Sequence, residues 1–368
     1  MTPSPPLRAA RLALLLLTIV CALAVDAFGI LPRAMEGARN GDFSTFYTAG
    51  RIDRNLVYDF GAISRAQEPI VGRLTSPRPY LNPPTYLPLL RLLARMPINV
   101  ALAIWAVVTT AAFLGACLFV ARPSAVLLVA ISPVVWSTAA GGQVALAVGA
   151  CVIGGVLLLP RRPVLAGVLF AVAALIKPPT VVLVPLALIA AREWRALAAC
   201  LIAGAAGGLA SLAFEGIDTW MRWFGALHEF SRFLATSTVI EKGVSPATIM
   251  RLVGVSGSAA LAFQIVCGLL GVVLAWGAFR RTDDPLVRLA ALTTGCLLVT
   301  PYAMTQEMAP MLPFVAATFF NDRVNPLFWL AGLLVLASLA APFGVLLMAL
   351  ALVVRWPETE IATASGKA

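Results

Sequence analysis

Two acidic residues and one lysine stand out because they interrupt a chain that is otherwise largely apolar. Asp42 follows the first hydrophobic segment, Lys177 precedes two prolines, and Glu307 opens one of the last hydrophobic segments. A carboxylate can take the proton of an acceptor hydroxyl as a general base. A cation in a low-dielectric site can neutralise a departing phosphate. These residue types suit transfer of a sugar from a lipid phosphate to a hydroxyl group.

Further polar side chains are predicted on the same side of the membrane as these three. The amides of Asn82 and Gln143 are of the type that holds sugar hydroxyls. We therefore take Asp42 and Glu307 as candidate catalytic residues. The candidate substrate-binding residues are Tyr47, Arg51, Asn82, Gln143, Lys177 and Gln306.

Simpler roles exist for two of the charged residues. Asp42 is placed to cap a short helix, whose predicted face carries Phe43, Phe46 and Tyr47. Glu307 has three open roles: it orients substrate, assists Asp42, or only ends a helix. Lys177 has the alternative of reaching the outer headgroups while its stem stays in the apolar layer.

The composition is that of a membrane protein that crosses the bilayer many times. The chain has 368 residues, of which 60% are hydrophobic and 12% charged, whereas soluble domains are about 45–50% apolar and about 25% charged. The net charge of +10 points to anionic lipid headgroups rather than nucleic acid. The six cysteines lie in apolar segments without CxxC spacing, and His228 is the one histidine. We therefore predict neither a disulfide framework nor a metal site.

A membrane-spanning helix needs about 20 apolar residues, and about twelve candidate segments can be drawn, some of them short. We predict an all-α polytopic membrane fold from these segments, with helices also in the outer loops. The candidate segments are 12–30, 98–120, 124–140, 143–160, 163–176, 179–191, 196–214, 258–279, 286–300, 308–320, 325–340 and 342–354.

The distribution of arginines predicts the orientation of the chain. Arginine and lysine in short loops favour the cytoplasm, which places the N-terminus inside and the long loops 31–97 and 215–257 outside. The domain is predicted to span 1–356, followed by a disordered cytoplasmic tail at 357–368. The arginines that support this orientation are Arg122, Arg161, Arg162, Arg192, Arg195, Arg280, Arg281, Arg323 and Arg355.

Two irregular stretches bear on the site. Lys177-Pro178-Pro179 breaks a helix, and a broken helix at membrane depth is tolerated where it faces protein or a wet cavity. Lys177 is therefore predicted to end a half-helix that lines an outward-open cavity. In the second outer loop, aromatic residues between Trp220 and Phe233 predict a helix in the outer interface.

Several short motifs, taken together, resemble the polyprenol-phosphate-sugar-dependent mannosyltransferases of glycosyltransferase family 87 in the GT-C superfamily. They occur in family order over about residues 40–310. The motifs are Gly41-Asp42-Phe43 with Phe46-Tyr47 and Ala49-Gly50, Tyr58-Asp59, Asn82-Pro83-Pro84, Gly142-Gln143, Ala166-Gly167, Ile176-Lys177-Pro178, and Thr300-Pro301-Tyr302 before Glu307.

The resemblance implies a GT-C-type multi-helix membrane fold in a bacterial inner membrane, with its active site facing the periplasm. It implies that Asp42 is the catalytic base. It also implies an inverted linkage, formed from a β-linked polyprenyl-phosphate donor and a lipid or glycan acceptor, without a nucleotide or an obligate metal. Many relatives carry Trp and His where this chain has the stretch from Tyr302 to Glu307. Mannose is therefore only the default sugar.

A transporter or flippase of a lipid-linked or small envelope substrate is the alternative from another class. Broken helices and an intramembrane cation also build transport paths. Such a protein is expected to show a hydropathy repeat between its halves and to place its key charges at the midplane. The sequence shows no such repeat, and Asp42 and Glu307 are predicted at the outer edge.

Overall fold

The computed structural model describes residues 5–35, 41–72, 74, 77–236, 243–321 and 324–354. The predicted disordered tail at 357–368 lies outside these residues, as do Arg323 and Arg355 of the orientation argument. Across the described residues the chain is all-α, as predicted, and an isolated antiparallel bridge joins Gly243 to Met304.

Proline sets the start of many of these helices, because its missing N–H is not needed in the first turn. It is the first residue of the helices that begin at Pro123, Pro133, Pro163, Pro285 and Pro326. The α-helices are α1 (Pro5–Val25), α2 (Leu31–Met35), α3 (Phe43–Arg51), α4 (Phe60–Val71), α5 (Leu87–Leu93), α6 (Ile98–Val120), α7 (Pro123–Ala130), α8 (Pro133–Gly141), α9 (Ala145–Leu158), α10 (Pro163–Ile176), α11 (Val184–Ala190), α12 (Trp194–Glu215), α13 (Ile217–Thr236), α14 (Pro246–Leu252), α15 (Gly257–Arg281), α16 (Pro285–Val299), α17 (Leu312–Thr318), α18 (Pro326–Leu336) and α19 (Ala341–Val354). A π-helix covers Asp26–Ile30, and 3₁₀-helices cover Pro84–Tyr86, Pro178–Val181 and Thr305–Met311.

Each of the twelve predicted segments contains a helix, but only some are long enough to cross a membrane unaided. Among the described residues, four helices pass on length and composition: Leu7–Ile30, Ile98–Val120, Trp194–Glu215 and Gly257–Arg281. A fifth span results if α7 and α8, bent by 53° at the break, count as one. These helices fit a membrane protein. The count of twelve spans and the orientation stay predictions.

The first long loop, 31–97, which is predicted to lie outside, is folded rather than extended over its described residues. Helices α3, α4 and α5 pack around an aromatic cluster, in which the Phe46 ring lies edge-on to Tyr80 at 6.2 Å and to Tyr86 at 5.9 Å. The rings of Tyr58 and Tyr80 are 5.5 Å apart. Such pairs fix the relative positions of the short helices, each too short to be stable alone. This aromatic cluster fixes the position of α3, and Asp42 lies at the start of that helix.

The predicted aromatic helix of the second outer loop is α13. Its outward side exposes Ile217, Met221 and Phe224, a stripe suited to the headgroup boundary. Its inward side is tied to the first loop, because the indole N–H of Trp223 donates to the Leu81 carbonyl at 3.0 Å. Further along, the Phe230 ring lies edge-on to Tyr302 at 5.0 Å. Helix α13 therefore contacts both the first loop, at Leu81, and the segment that carries Tyr302.

Candidate active site

A close approach of two glycine turns sets the position of Asp42. A Cβ on Gly41 would lie 2.5 Å from the Gly141 carbonyl oxygen, so the two backbones touch. Gly142 ends α8 in the left-handed conformation, with φ of 64°, and a Cβ there would lie 2.6 Å from the Phe43 Cβ. Glycine is the residue that tolerates both conditions. The contact brings the start of α3 against the turn that carries Gln143.

The Asp42 side chain does not cap α3. Its backbone carbonyl accepts the first helical N–H groups, from Thr45 at 3.0 Å and Phe46 at 3.1 Å, but its carboxylate makes no capping bond. Instead, the Gln143 Nε2 donates to Asp42 Oδ2. The capping alternative for Asp42 was therefore wrong. The carboxylate is held by an amide from a distant turn and leaves its other oxygen for a further partner.

Substitution of Gly41 tests this backbone contact. In Gly41→Ala the new methyl meets backbone atoms of Gly141, which cannot rotate away, so Asp42 must move relative to Gln143. Because a displacement of about 1 Å costs roughly 100-fold in rate, we expect the catalytic activity of this site to fall by about that factor, measured as kcat/KM. The matched control is Gly115→Ala, where the methyl meets no atom within 4 Å. Equal activity of both variants would show that the glycine contact does not position the carboxylate.

The surroundings of Asp42 act on its ionisation in opposite directions. Asp42 is exposed at the protein surface, and its carboxylate lies against the turn that carries Gln143. Desolvation by the surrounding protein raises the pKa of Asp42, while the charges of Lys177 and Arg78 lower it, and desolvation is the larger effect. A carboxylate with a raised pKa is a stronger proton acceptor than an ordinary aspartate.

Lys177 and Glu307 form an ion pair beside this carboxylate. Lys177 Nζ lies 2.5 Å from Glu307 Oε1, with the side chains 22% and 2% exposed, respectively. Glu307 lies in the first turn of the 3₁₀-helix Thr305–Met311. An ammonium has three donors, so Lys177 can bind Glu307 and an outside anion together. The pair gives Glu307 a partner within the protein, and its role towards the substrate or Asp42 stays a prediction.

The helix break predicted at Lys177 is present, and first-loop side chains fix its geometry. Helix α10 ends at Ile176, and Pro178–Val181 continues as a 3₁₀-helix. The Asn82 Nδ2 donates to the Ile176 carbonyl at 2.9 Å, and the Thr85 hydroxyl donates to the Leu175 carbonyl. Both satisfy carbonyls that a helix end leaves unpaired. In this structure Asn82 positions Lys177, and its predicted contact with sugar hydroxyls stays a prediction.

Tyr47 and Arg51 lie further along α3 than Asp42. The Tyr47 hydroxyl donates to the Met96 carbonyl at 2.9 Å, and the Arg51 guanidinium donates to the Tyr47 oxygen at 3.1 Å. These bonds tie α3 to the end of the first loop. The structure thus gives both residues local partners, and their substrate-binding role stays a prediction, as does that of the half-buried Gln306.

Two residues that our candidate list lacks lie near the carboxylates. Arg78 is half-buried in an irregular segment of the first loop, and its charge acts on Asp42. Tyr302 belongs to the Thr-Pro-Tyr motif. Burial raises the pKa of its hydroxyl, and the charges of Glu307 and Asp42 raise it further. The phenol therefore remains a neutral group near the two acids.

The site therefore combines one accessible carboxylate, two cations, a neutral phenol and amides. The carboxylate can accept a proton from a hydroxyl. The cations can hold an anion within range of that carboxylate. A reaction in which a hydroxyl attacks and an anionic group leaves uses both parts together.

Comparison with known proteins gives one match. The sequence model of glycosyltransferase family 87 matches residues 80–301, more than half of the chain. No curated protein and no solved structure matches. The matched range contains Asn82, Gln143 and Lys177, whereas Asp42 lies 38 residues before its start and Glu307 six residues after its end. The structure places both acids in contact with matched residues, Asp42 with Gln143 and Glu307 with Lys177.

Proposed function

The chain belongs to glycosyltransferase family 87, and on that premise we propose that it transfers a sugar from a polyprenyl-phosphate donor to a hydroxyl of a lipid or glycan acceptor. Mannose is the first sugar to test. Membership of a glycosyltransferase family favours an enzyme over the transporter or flippase alternative. One observation carries the proposal: an accessible carboxylate, held by Gln143, lies within electrostatic range of Lys177 and Arg78.

The proposed reaction is a single displacement at the anomeric carbon. Asp42 takes the proton of the acceptor hydroxyl as its oxygen bonds to that carbon, and the bond from the carbon to the phosphate oxygen breaks. Polyprenyl phosphate leaves with an additional negative charge, which Lys177 and Arg78 stabilise. Glu307 holds the Lys177 ammonium in place. Attack opposite the leaving group inverts a β-linked donor to an α-linked product.

The expected setting is the periplasmic side of a bacterial inner membrane. Arginine distribution in the short loops supports this orientation, and the outward stripe on α13 suits an interface where lipid substrates meet the protein. The reaction needs no nucleotide, because the donor already carries its leaving group on a lipid.

A comparison of lipid-phosphate and nucleotide sugar donors tests this function directly. Purified protein is incubated with a lipid extract of its own cells and either labelled polyprenyl-phosphate mannose, another polyprenyl-phosphate sugar, or a nucleotide sugar. We expect label to appear in a new lipid or glycan from a lipid-phosphate donor only. Transfer from the nucleotide sugar, or from no lipid-phosphate donor, would contradict the proposal.

The pH dependence of transfer follows from the surroundings of Asp42. The base works only when ionised, so kcat/KM falls as the pH drops through its pKa. Because burial raises that pKa above the ordinary 3.8, we expect the acid limb of the profile at a higher pH than an ordinary aspartate gives. The profile is measured over a range in which thermal unfolding shows an intact protein. A rate that is flat down to about pH 4 would contradict a base with these surroundings.

A further inference from the structure

Gln67 is a fully buried amide whose two ends bind different segments of the first loop. Its Oε1 accepts from the Thr45 hydroxyl at 2.9 Å. The Ser44 hydroxyl, whose proton also reaches the Gly41 carbonyl at 3.0 Å, lies 3.4 Å from the same oxygen. The Gln67 Nε2 donates to the Arg78 carbonyl at 2.9 Å and to the Ile63 carbonyl at 3.1 Å. Both ends of this amide are therefore paired, as a buried polar group requires.

The two segments that Gln67 joins are those of the proposed base and of a cation. Ser44 and Thr45 lie two and three residues after Asp42, in the first turn of α3. On the other side, Arg78 lies outside any helix, so no ladder of backbone bonds fixes it. Helix α4 holds it instead: the Arg78 N–H donates to the Ser64 hydroxyl at 3.1 Å, and its carbonyl accepts from Gln67.

We infer that Gln67 is a positioning residue for the transfer reaction, which fixes the Arg78 guanidinium relative to the Asp42 carboxylate. This inference rests on the proposed function. A long side chain is placed reproducibly only if its backbone is fixed, and a site held by a loose outer layer loses its geometry. Glutamine suits the position because one side chain both donates and accepts, whereas glutamate in its ionised form only accepts and leucine does neither.

The consequence is a defined change in the pH profile. Arg78 lowers the pKa of Asp42, so a displaced Arg78 lets that pKa rise. In Gln67→Leu the acid limb of kcat/KM should move to higher pH. A nearby cation favours the ionised form of an acid, so movement of the limb to higher pH is the expected result and an unmoved limb contradicts the inference. Loss of stability alone would lower the rate without moving the limb.

A matched control separates positioning from folding. Gln264 is another bridging amide: it accepts from the Ala247 N–H at 3.1 Å and donates to the Leu298 carbonyl at 2.8 Å. Its bonds reach neither Asp42 nor Arg78. Gln264→Leu should lower the thermal unfolding temperature in the same way but leave the acid limb in place.

The double variant Gln67→Leu with Arg78→Met tests whether Gln67 acts on Asp42 through Arg78. Arg78→Met removes the cation itself and should move the limb at least as far as Gln67→Leu. If Gln67 acts through Arg78, the double variant should show the shift of Arg78→Met alone, because the two changes are then not additive. Full additivity would overturn the inference.

Two milder substitutions test the same link if the Gln67→Leu variant does not fold. Thr45→Val releases the Asp42 side of the link, and Ser64→Ala releases the Arg78 side, while each keeps most of the side-chain volume. Each should move the limb in the same direction by a smaller amount. Unmoved limbs in both, with Asp42→Asn inactive, would overturn the inference and leave the proposed function standing. A wild-type protein that transfers sugar from no lipid donor would overturn both.

Discussion

Asp42→Asn should abolish transfer while the protein remains folded. General-base catalysis contributes about 100- to 10,000-fold to a rate, so kcat should fall by at least about 100-fold. The unfolding temperature should stay or rise. Burial raises the pKa of Asp42 in the folded protein, so its ionised form is less favourable there than in the unfolded chain, and stability is lost as the pH rises through the folded pKa. Transfer kinetics and thermal unfolding at neutral pH measure the two effects.

Asp59→Asn is the matched control for this variant. Asp59 lies in the same loop, and its Oδ1 caps α4 by accepting from the Ala62 N–H at 2.7 Å. Asparagine caps a helix as well as aspartate does, so activity and stability should both stay near the wild-type values. An equal loss of transfer in both variants would show that a general loss of loop structure, rather than a missing base, explains the inactivity of Asp42→Asn.

Lys177→Met should damage both stability and transfer. It leaves the Glu307 carboxylate buried without its partner, and breaking a buried pair on one side costs about 3–5 kcal/mol. Lys177 retains some exposure, so we expect about 3 kcal/mol. Removing one group that stabilises developing charge lowers the rate by about 100-fold or more. Denaturant unfolding and kcat measure the two losses.

A double variant separates the two losses. Lys177→Met with Glu307→Gln removes both charges of this pair, so most of the lost stability should return. Transfer should remain low, because no ammonium meets the departing phosphate. If the double variant recovers wild-type kcat along with its stability, the lysine serves the fold alone. In that case Arg78 would be the cation that meets the phosphate.

Local patterns were enough to predict the helical fold and the helix break at Lys177. Each predicted apolar segment contains a helix, and α10 ends just before the two prolines that follow Lys177. The local patterns did not show how each apolar segment is bent or buried. The segment 124–140 is two helices bent by 53° before Pro133. The segment 286–300 is α16, buried along most of its length.

Contacts between distant parts of the chain were beyond the sequence. Asp42 and Gln143 were both candidates, but their bond depends on the touching turns of Gly41 and Gly141, which are 100 residues apart in the numbering. The segment around Arg78 has no periodicity that could indicate which arginine of the first loop faces the carboxylate. The sequence could predict which residue types take part, and only the packing shows their arrangement.

Single-turnover transfer with protein in excess over labelled polyprenyl-phosphate sugar tests the role of Asp42 most directly, because it separates donor binding from chemistry. Wild type and Asp42→Asn are compared in the same lipid extract, and donor binding is measured on both. We expect both to bind the donor, and only wild type to convert it to product. Conversion by Asp42→Asn at the wild-type rate would show that the base lies elsewhere, and loss of donor binding would make Asp42 a binding residue instead.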